Sequence, residues 1–283
     1  MRRSYVLLLL SVLAMHASVY AGVPTTRPAP IRFDSFVRND PPQRGYVAYI
    51  DLTDPRVYIE CAPSGPDPDG NGHWTTTLQR TSVVAKANDF DVAVNAVFFS
   101  HDTKNGNPRF YEVADPAKSA NVVIIDGKFV STVREGPAMS ILKDNSHTIG
   151  TVNARSLPNV RTAIGGSNQI LFRGQITAPA DAPAPRTSVG LSKDAKTMIL
   201  LVVDGRRPDY SAGLSTADLA KEMLRLGAHN AINLDGGGSS TFVRKSAKGA
   251  FDVINSPSDG SQLPIRLSFE RPVAYVLGVR IKH

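Results

Sequence analysis

The sequence predicts an α+β fold: a mixed β-sheet core with flanking helices and more strand than helix. Three observations carry that expectation. Short apolar runs recur along the chain, each closed by Gly, Pro, Asn or Asp. Sustained helical periodicity is confined to a few segments, most clearly 216–226. The 283 residues are 42% apolar and include one cysteine, so the core must hold without an internal disulfide or a multi-cysteine zinc site.

Residues 1–21 read as a signal peptide. Arg2 and Arg3 precede an apolar run over 5–14, and small residues end at Ala21. That run is about half the ~20 residues a spanning helix needs, so export without a stable membrane anchor is expected. The localisation that follows is secreted or periplasmic. Residues 22–44 carry Pro24, Pro28, Pro30, Pro41 and Pro42 and read as an extended leader, which places the folded domain at 45–283.

Strands are expected at 45–51 and 57–61, and Cys61 at the end of the second is expected to be a buried thiol. A Pro-, Gly- and Asp-rich loop covers 63–72, and a helix is expected over 75–87. An apolar strand follows at 92–99, then a long polar loop at 100–118. Around Asp126-Gly127, runs 122–125 and 129–130 form a hairpin signal. Runs 139–142 and 148–152 suggest another. The proline-rich stretch 178–185 is a linker or lid between a short strand at 169–172 and two buried strands at 187–191 and 198–203. For the helix at 216–226, Ser215 or Thr216 caps the start, Asp218 suits the first turn, and Gly227 suits the stop. Further strands at 231–234, 241–243 and 272–281 close the chain.

The richest local chemistry is Asn233-Leu234-Asp235-Gly236-Gly237-Gly238-Ser239-Ser240. An apolar strand ends in a carboxylate and enters three glycines, which cost conformational entropy and permit close backbone approach. Free N–H groups in such a turn can cradle an anion; a bulged hairpin is the plainer alternative. A second strand ends as Val203-Asp204-Gly205-Arg206-Arg207, setting a carboxylate beside guanidiniums suited to phosphate or carboxylate. Pro185-Arg186-Thr187 is a third candidate, although an arginine beside a hydroxyl is also an ordinary surface pair. Asn95 interrupts an apolar strand and must find partners, either as a structural hub or as a substrate contact.

Other chemistries lose support. His73, His101, His147 and His229 do not cluster, and the sequence holds no Gly-x-Ser-x-Gly elbow, P-loop or dinucleotide fingerprint. The net charge of +7 is spread along the chain, and no nucleic-acid partner is expected.

Together, Asn95 to Phe99, Ala163-Ile164-Gly165-Gly166, Pro185 to Gly190, Val203 to Arg206, Gly213-Leu214 with the helix through Ala220, Gly227-Ala228, Asn230 to Thr241, Asn255 to Gly260 and Arg271 to Ala274 resemble the phosphodiester glycosidase family. The likeness covers roughly 90–280, and the Asn-Leu-Asp-Gly-Gly-Gly-Ser block is its specific element. It implies a hydrolase that cuts a sugar from a sugar-1-phosphodiester, with a phosphorylated glycan as partner. In that reading Asp235 and Asp204 are the catalytic carboxylates, as nucleophile or base. Arg186, Arg206 and the backbone of Gly236, Gly237 and Gly238 hold phosphate, while Asn95, Thr187 and Ser239 position the substrate. A Ca²⁺ or Mg²⁺ ion near Asp204 and Asp235 is compatible with this set, without a diagnostic spacing. Ala96-Val97 and the loop 100–118 depart from the family's pattern. The absence of the cysteine-rich module carried by the family's animal member points to a cell-wall, capsule or secreted polysaccharide. Two alternatives stand beside the hydrolase: a phosphodiesterase that breaks P–O in such polymers, and a non-catalytic exopolysaccharide-binding or assembly protein.

Overall fold

The computed structural model describes residues 28–70, 72–102, 110–259 and 268–282. The expected signal peptide lies outside them, as does most of the polar core of the loop 100–118.

The fold is mainly β. Only two α-helices occur among the described residues, α1 (Thr81–Ala87) and α2 (Thr216–Arg225). Among the described residues every strand pairing is antiparallel, so the mixed sheet expected from the sequence is corrected to antiparallel sheets. The physical reason is the connections. Parallel neighbours need long crossovers, usually helical, whereas short turns join antiparallel strands. Asp126 and Gly127 illustrate such a turn. Their φ values of 50° and 74° give the doubly left-handed conformation of a tight hairpin between Val123–Ile125 and Lys128–Phe129.

Four layers build the core. A seven-stranded sheet runs through Ile31–Asn39, Pro42–Asp51, Thr197–Val203, Arg186–Leu191, Asn230–Asn233, Asn168–Phe172 and Gln175–Ile176. Its inner face supplies Ile50, Val189, Leu200, Val202 and Ile232. These pack against Ile59, Val94, Phe242, Leu277 and Val279 of a five-stranded sheet that contains Val57–Pro63, Val92–Asn95, Phe242–Lys245, Phe251–Val253 and Tyr275–Ile281. The outer face of the first sheet is covered by Leu219, Ala220 and Met223 of α2. The outer face of the second is covered by Val84 and Ala85 of α1. Another five-stranded sheet, including Gly136–Leu142, His147–Val152 and Val160–Gly165, adds Met139, Ile141 and Ile164 to the central core. Burial of each large side chain there is worth roughly 1.5–3 kcal/mol. Cys61 is buried among them, and desolvation pushes its thiol up to about 12, which makes it inert, as expected.

The leader expected at 22–44 is corrected in its second half. Ile31–Asn39 is an edge strand paired residue for residue with Pro42–Asp51. Phe36 packs with the α2 cluster, and Arg38 forms an ion pair with the buried Glu222 of α2. Prolines at both ends hid this strand, because Pro is tolerated at strand edges and turns. The helix expected at 75–87 is confined to α1, with Thr76–Thr77 forming a short strand before it. The expected 92–99 strand splits into Val92–Asn95 and Phe99–His101, which join different sheets.

The helix at 216–225 begins as expected. Ser215 Oγ accepts from Asp218 N at 3.0 Å and donates to Asp218 Oδ2 at 2.6 Å. Ser215→Ala is expected to lower stability by about 1 kcal/mol, read by urea denaturation, with an unchanged m-value.

Candidate active site

The candidate residues meet where the chain crosses from one main sheet to the other. Arg186 pairs with Val203 and Ser188 with Asn233, so the head of one strand and the tails of two others share an edge of the seven-stranded sheet. From Asn233 the chain leaves that sheet, turns through Asp235–Thr241, and enters the opposite sheet at Phe242. Asp235 straddles the gap: its N–H donates to the Ala96 carbonyl at 2.9 Å, while Leu234 N–H donates to the Thr187 carbonyl at 2.9 Å.

The three glycines are steric necessities of this crossing. A Cβ on Gly236 would lie 2.7 Å from the Pro185 carbonyl oxygen. Gly237 has φ +63°, and a Cβ there would meet the Arg206 guanidinium at 2.7 Å. A Cβ on Gly238 would overlap Asp259 and Arg271. Gly238→Ala is therefore expected to push Asp259 and Arg271 apart and to cost about 1–3 kcal/mol, measured by thermal melting.

Asn95 is a buried hub. Its Nδ2 donates to the Asp235 carbonyl at 2.6 Å, and its Oδ1 accepts from Thr187 Oγ1 at 2.8 Å and Thr241 N at 3.2 Å. Neither Asn95 nor Thr187 is exposed at all, so both brace the corner from behind. Asp204 is equally enclosed, at 1% exposure. Its Oδ1 accepts from Asn255 Nδ2 and Ser256 N, both at 3.0 Å, and its Oδ2 from Tyr210 OH at 3.2 Å. Burial raises its pKa, and these donors partly oppose the rise.

Asp235 differs. It is partly exposed, and desolvation raises its carboxyl to about 6, opposed by Ser239, Arg271, the Gly236 N–H and Arg206. Ser239 Oγ is fully buried beside it.

The guanidiniums at the corner are Arg206 and Arg271. Arg206 is exposed, forms no ion pair among the described residues, and sits at φ 60°, a left-handed conformation unusual for a side-chain-bearing residue and worth ~1–3 kcal/mol of strain. Arg271 is held in a fork by Asp259 at 2.9 and 2.8 Å and lies over the Tyr111 ring at 4.0 Å. Arg186 is elsewhere: it donates to the Leu214 and Ala182 carbonyls and to Asp181 at 2.7 Å. Strand alternation explains this, because Thr187 points inward and Arg186 therefore points outward towards the α2 side. The glycine backbone is also largely occupied. Gly236 N–H donates to Asp235 Oδ1 at 2.9 Å and Gly237 N–H to the Pro185 carbonyl at 2.9 Å. A row of three free N–H donors is not present.

Arg271, Asp259 and Tyr111 were not singled out as site residues from the sequence. Arg271 and Asp259 lie within segments that carried the resemblance, yet no local pattern distinguishes them. Among the described residues no three His, Cys, Asp or Glu side chains converge as a metal site, and the Asp204 oxygens are taken by N–H and O–H donors.

Residues 88–280 match the family model for phosphodiester glycosidase. The structure is similar to the catalytic domain of zebrafish N-acetylglucosamine-1-phosphodiester alpha-N-acetylglucosaminidase, auto-inhibited by its pro-peptide. That match has a TM-score of 0.68 and 23% identity, over 91% of this chain and 85% of the other. A hypothetical protein from Synechocystis aligns with a TM-score of 0.60 and 13% identity, over 89% of this chain and 62% of that one. A Burkholderia pseudomallei protein described as exported aligns with a TM-score of 0.58 and 15% identity, over 84% of this chain and 74% of the other. These likenesses concern the fold. No curated protein matches the sequence.

Proposed function

The chain belongs to the phosphodiester glycosidase family, and from that premise we propose that it is an exported hydrolase releasing a sugar from a sugar-1-phosphodiester. The observation that carries the proposal is one carboxylate, Asp235, set between two guanidiniums, Arg206 and Arg271, on a glycine corner that leaves them room. A phosphate leaving group departs as a stable anion, so it needs cationic donors more than a strong general acid. Arg206 is the phosphate contact in this reading, and Arg271, pre-aimed by Asp259 and Tyr111, is the second. Asp235 acts at the anomeric carbon, either attacking it directly or taking a proton from the attacking water. Ser239, fully buried, braces Asp235 from behind through its hydroxyl. Asp204, Asn95 and Thr187 position the corner, and Arg186 ties the 178–185 segment to the sheet.

The structural likeness to a protein described as exported supports secretion. Hydrolysis of a defined α-sugar-1-phosphodiester in ¹⁸O water tests the chemistry. Label in the released sugar is expected. Label in phosphate would replace the reading with P–O cleavage. Saturable glycan binding without turnover across a panel of sugar-1-phosphodiesters would replace it with a binding or assembly role.

A further inference from the structure

A second cationic feature adjoins the corner. Arg207 follows Arg206 directly; its Nη2 donates to the Ser256 carbonyl at 3.1 Å, and its guanidinium lies 4.1 Å from the centre of the Tyr210 ring. Arg44, from the Pro42–Asp51 strand, lies 4.5 Å from the centre of the same ring. Tyr210 OH is anchored on Asp204, so one aromatic ring braces two guanidiniums beside a third. None of Arg44, Arg206 and Arg207 forms a salt bridge among the described residues. Asp204, whose charge Arg207 feels, has both oxygens engaged by other donors. Arg44 Nε and Arg207 Nε are also buried without an acceptor. Two half-buried guanidiniums stacked on one ring, each with a buried Nε that lacks an acceptor, favour an anionic ligand.

We infer that Arg44 and Arg207 form a second anion subsite beside Arg206 that takes the next phosphodiester of a repeating glycan-phosphate chain. The inference rests on the proposed hydrolase reading for the place of the first phosphate. The substrate class it names is a polymer or oligomer with phosphate in every repeat. Planar guanidiniums fixed on a ring suit phosphate oxygens, and a two-point grip raises affinity for repeats over single units.

The test measures binding by calorimetry in the Asp235→Asn protein, so that turnover is not required. The probes are a synthetic disaccharide with two phosphodiesters, its single-phosphodiester counterpart, and an analogue whose second phosphate is replaced by a uronate. Arg44→Gln/Arg207→Gln is expected to weaken the two-phosphate probe about 10- to 100-fold and the single-phosphate probe by no more than about twofold. Equal weakening of both probes, or of neither, overturns the inference. A uronate analogue that binds as tightly as the two-phosphate probe also overturns it, in favour of a carboxylate ligand. Should the double variant lose its cooperative melt, salt dependence in the parent protein decides. The two-phosphate probe must show the steeper loss of affinity with salt, and equal slopes overturn the inference. Absence of turnover by the unaltered enzyme would reject the hydrolase reading while leaving this binding comparison intact.

Discussion

Asp235→Asn is expected to lower kcat on a sugar-1-phosphodiester by at least about 10²–10⁴-fold while making the protein more resistant to unfolding at neutral pH. Both effects have one origin. The carboxyl sits near 6 because the corner desolvates it more than Arg206, Arg271 and Gly236 N–H stabilise its charge. Its ionised form is needed for attack or proton removal, so activity is expected to rise with pH through about 6 on its acid limb. The sign for stability is opposite. With a folded-state pKa raised from 3.8 to about 6, the native protein binds the proton more tightly than the unfolded chain. Stability therefore falls as pH rises from 3.8 to about 6, and the full cost of burying the charge is present above that window. That cost is up to ~3 kcal/mol, and the amide does not carry it. Melting temperatures of the two proteins should diverge above pH 6 and converge below pH 4. An Asp235→Asn protein that retains activity would remove this carboxylate from the chemistry.

The largest stability effect is expected at Asn95. Asn95→Ala removes the acceptor for Thr187 Oγ1 and Thr241 N and the donor to the Asp235 carbonyl, all in the buried seam between the two main sheets. Each orphaned group costs about 1–3 kcal/mol, and not all the costs add, so a total of about 3–5 kcal/mol is expected in urea denaturation. Thr187→Val, which keeps the shape and removes only the hydroxyl, should cost about 1 kcal/mol. Near-equal losses from the two substitutions would mean that Asn95 does not brace the corner as a hub. Residual activity in Asn95→Ala, measured well below its melting temperature, should fall mainly in kcat, because a loosened Asp235 is misplaced more than substrate is released.

Much of the site was legible in the chain because its chemistry is compressed into contiguous blocks. An apolar strand ending in Asp235 and followed by three glycines announces a crowded turn, and the structure supplies the crowding: Pro185 behind Gly236, Arg206 beside Gly237 and Arg271 against Gly238. The capped helix at 216–225 and the Asp126-Gly127 hairpin were equally readable, since their causes are local. Arg271 was not, because its role depends on Asp259 and Tyr111, brought to it only by folding. The hairpin over 31–51 was half hidden by its prolines, and its worth lies in pairing and in contact with α2.

The sequence by itself determined the elements, the glycine corner and the carboxylate it carries, because strand period, caps and turn residues act over a few positions. Tertiary structure alone decided which carboxylate meets solvent and which guanidiniums face it. Asp204 and Asp235 end similar strands, yet one is enclosed by Asn255, Ser256 and Tyr210 and the other stands at the crossing between sheets. Arg186 and Thr187 are neighbours, yet pleating sends one towards α2 and the other into the seam. Burial, pairing and side-chain direction are properties of neighbours distant in the chain, and no local pattern encodes them.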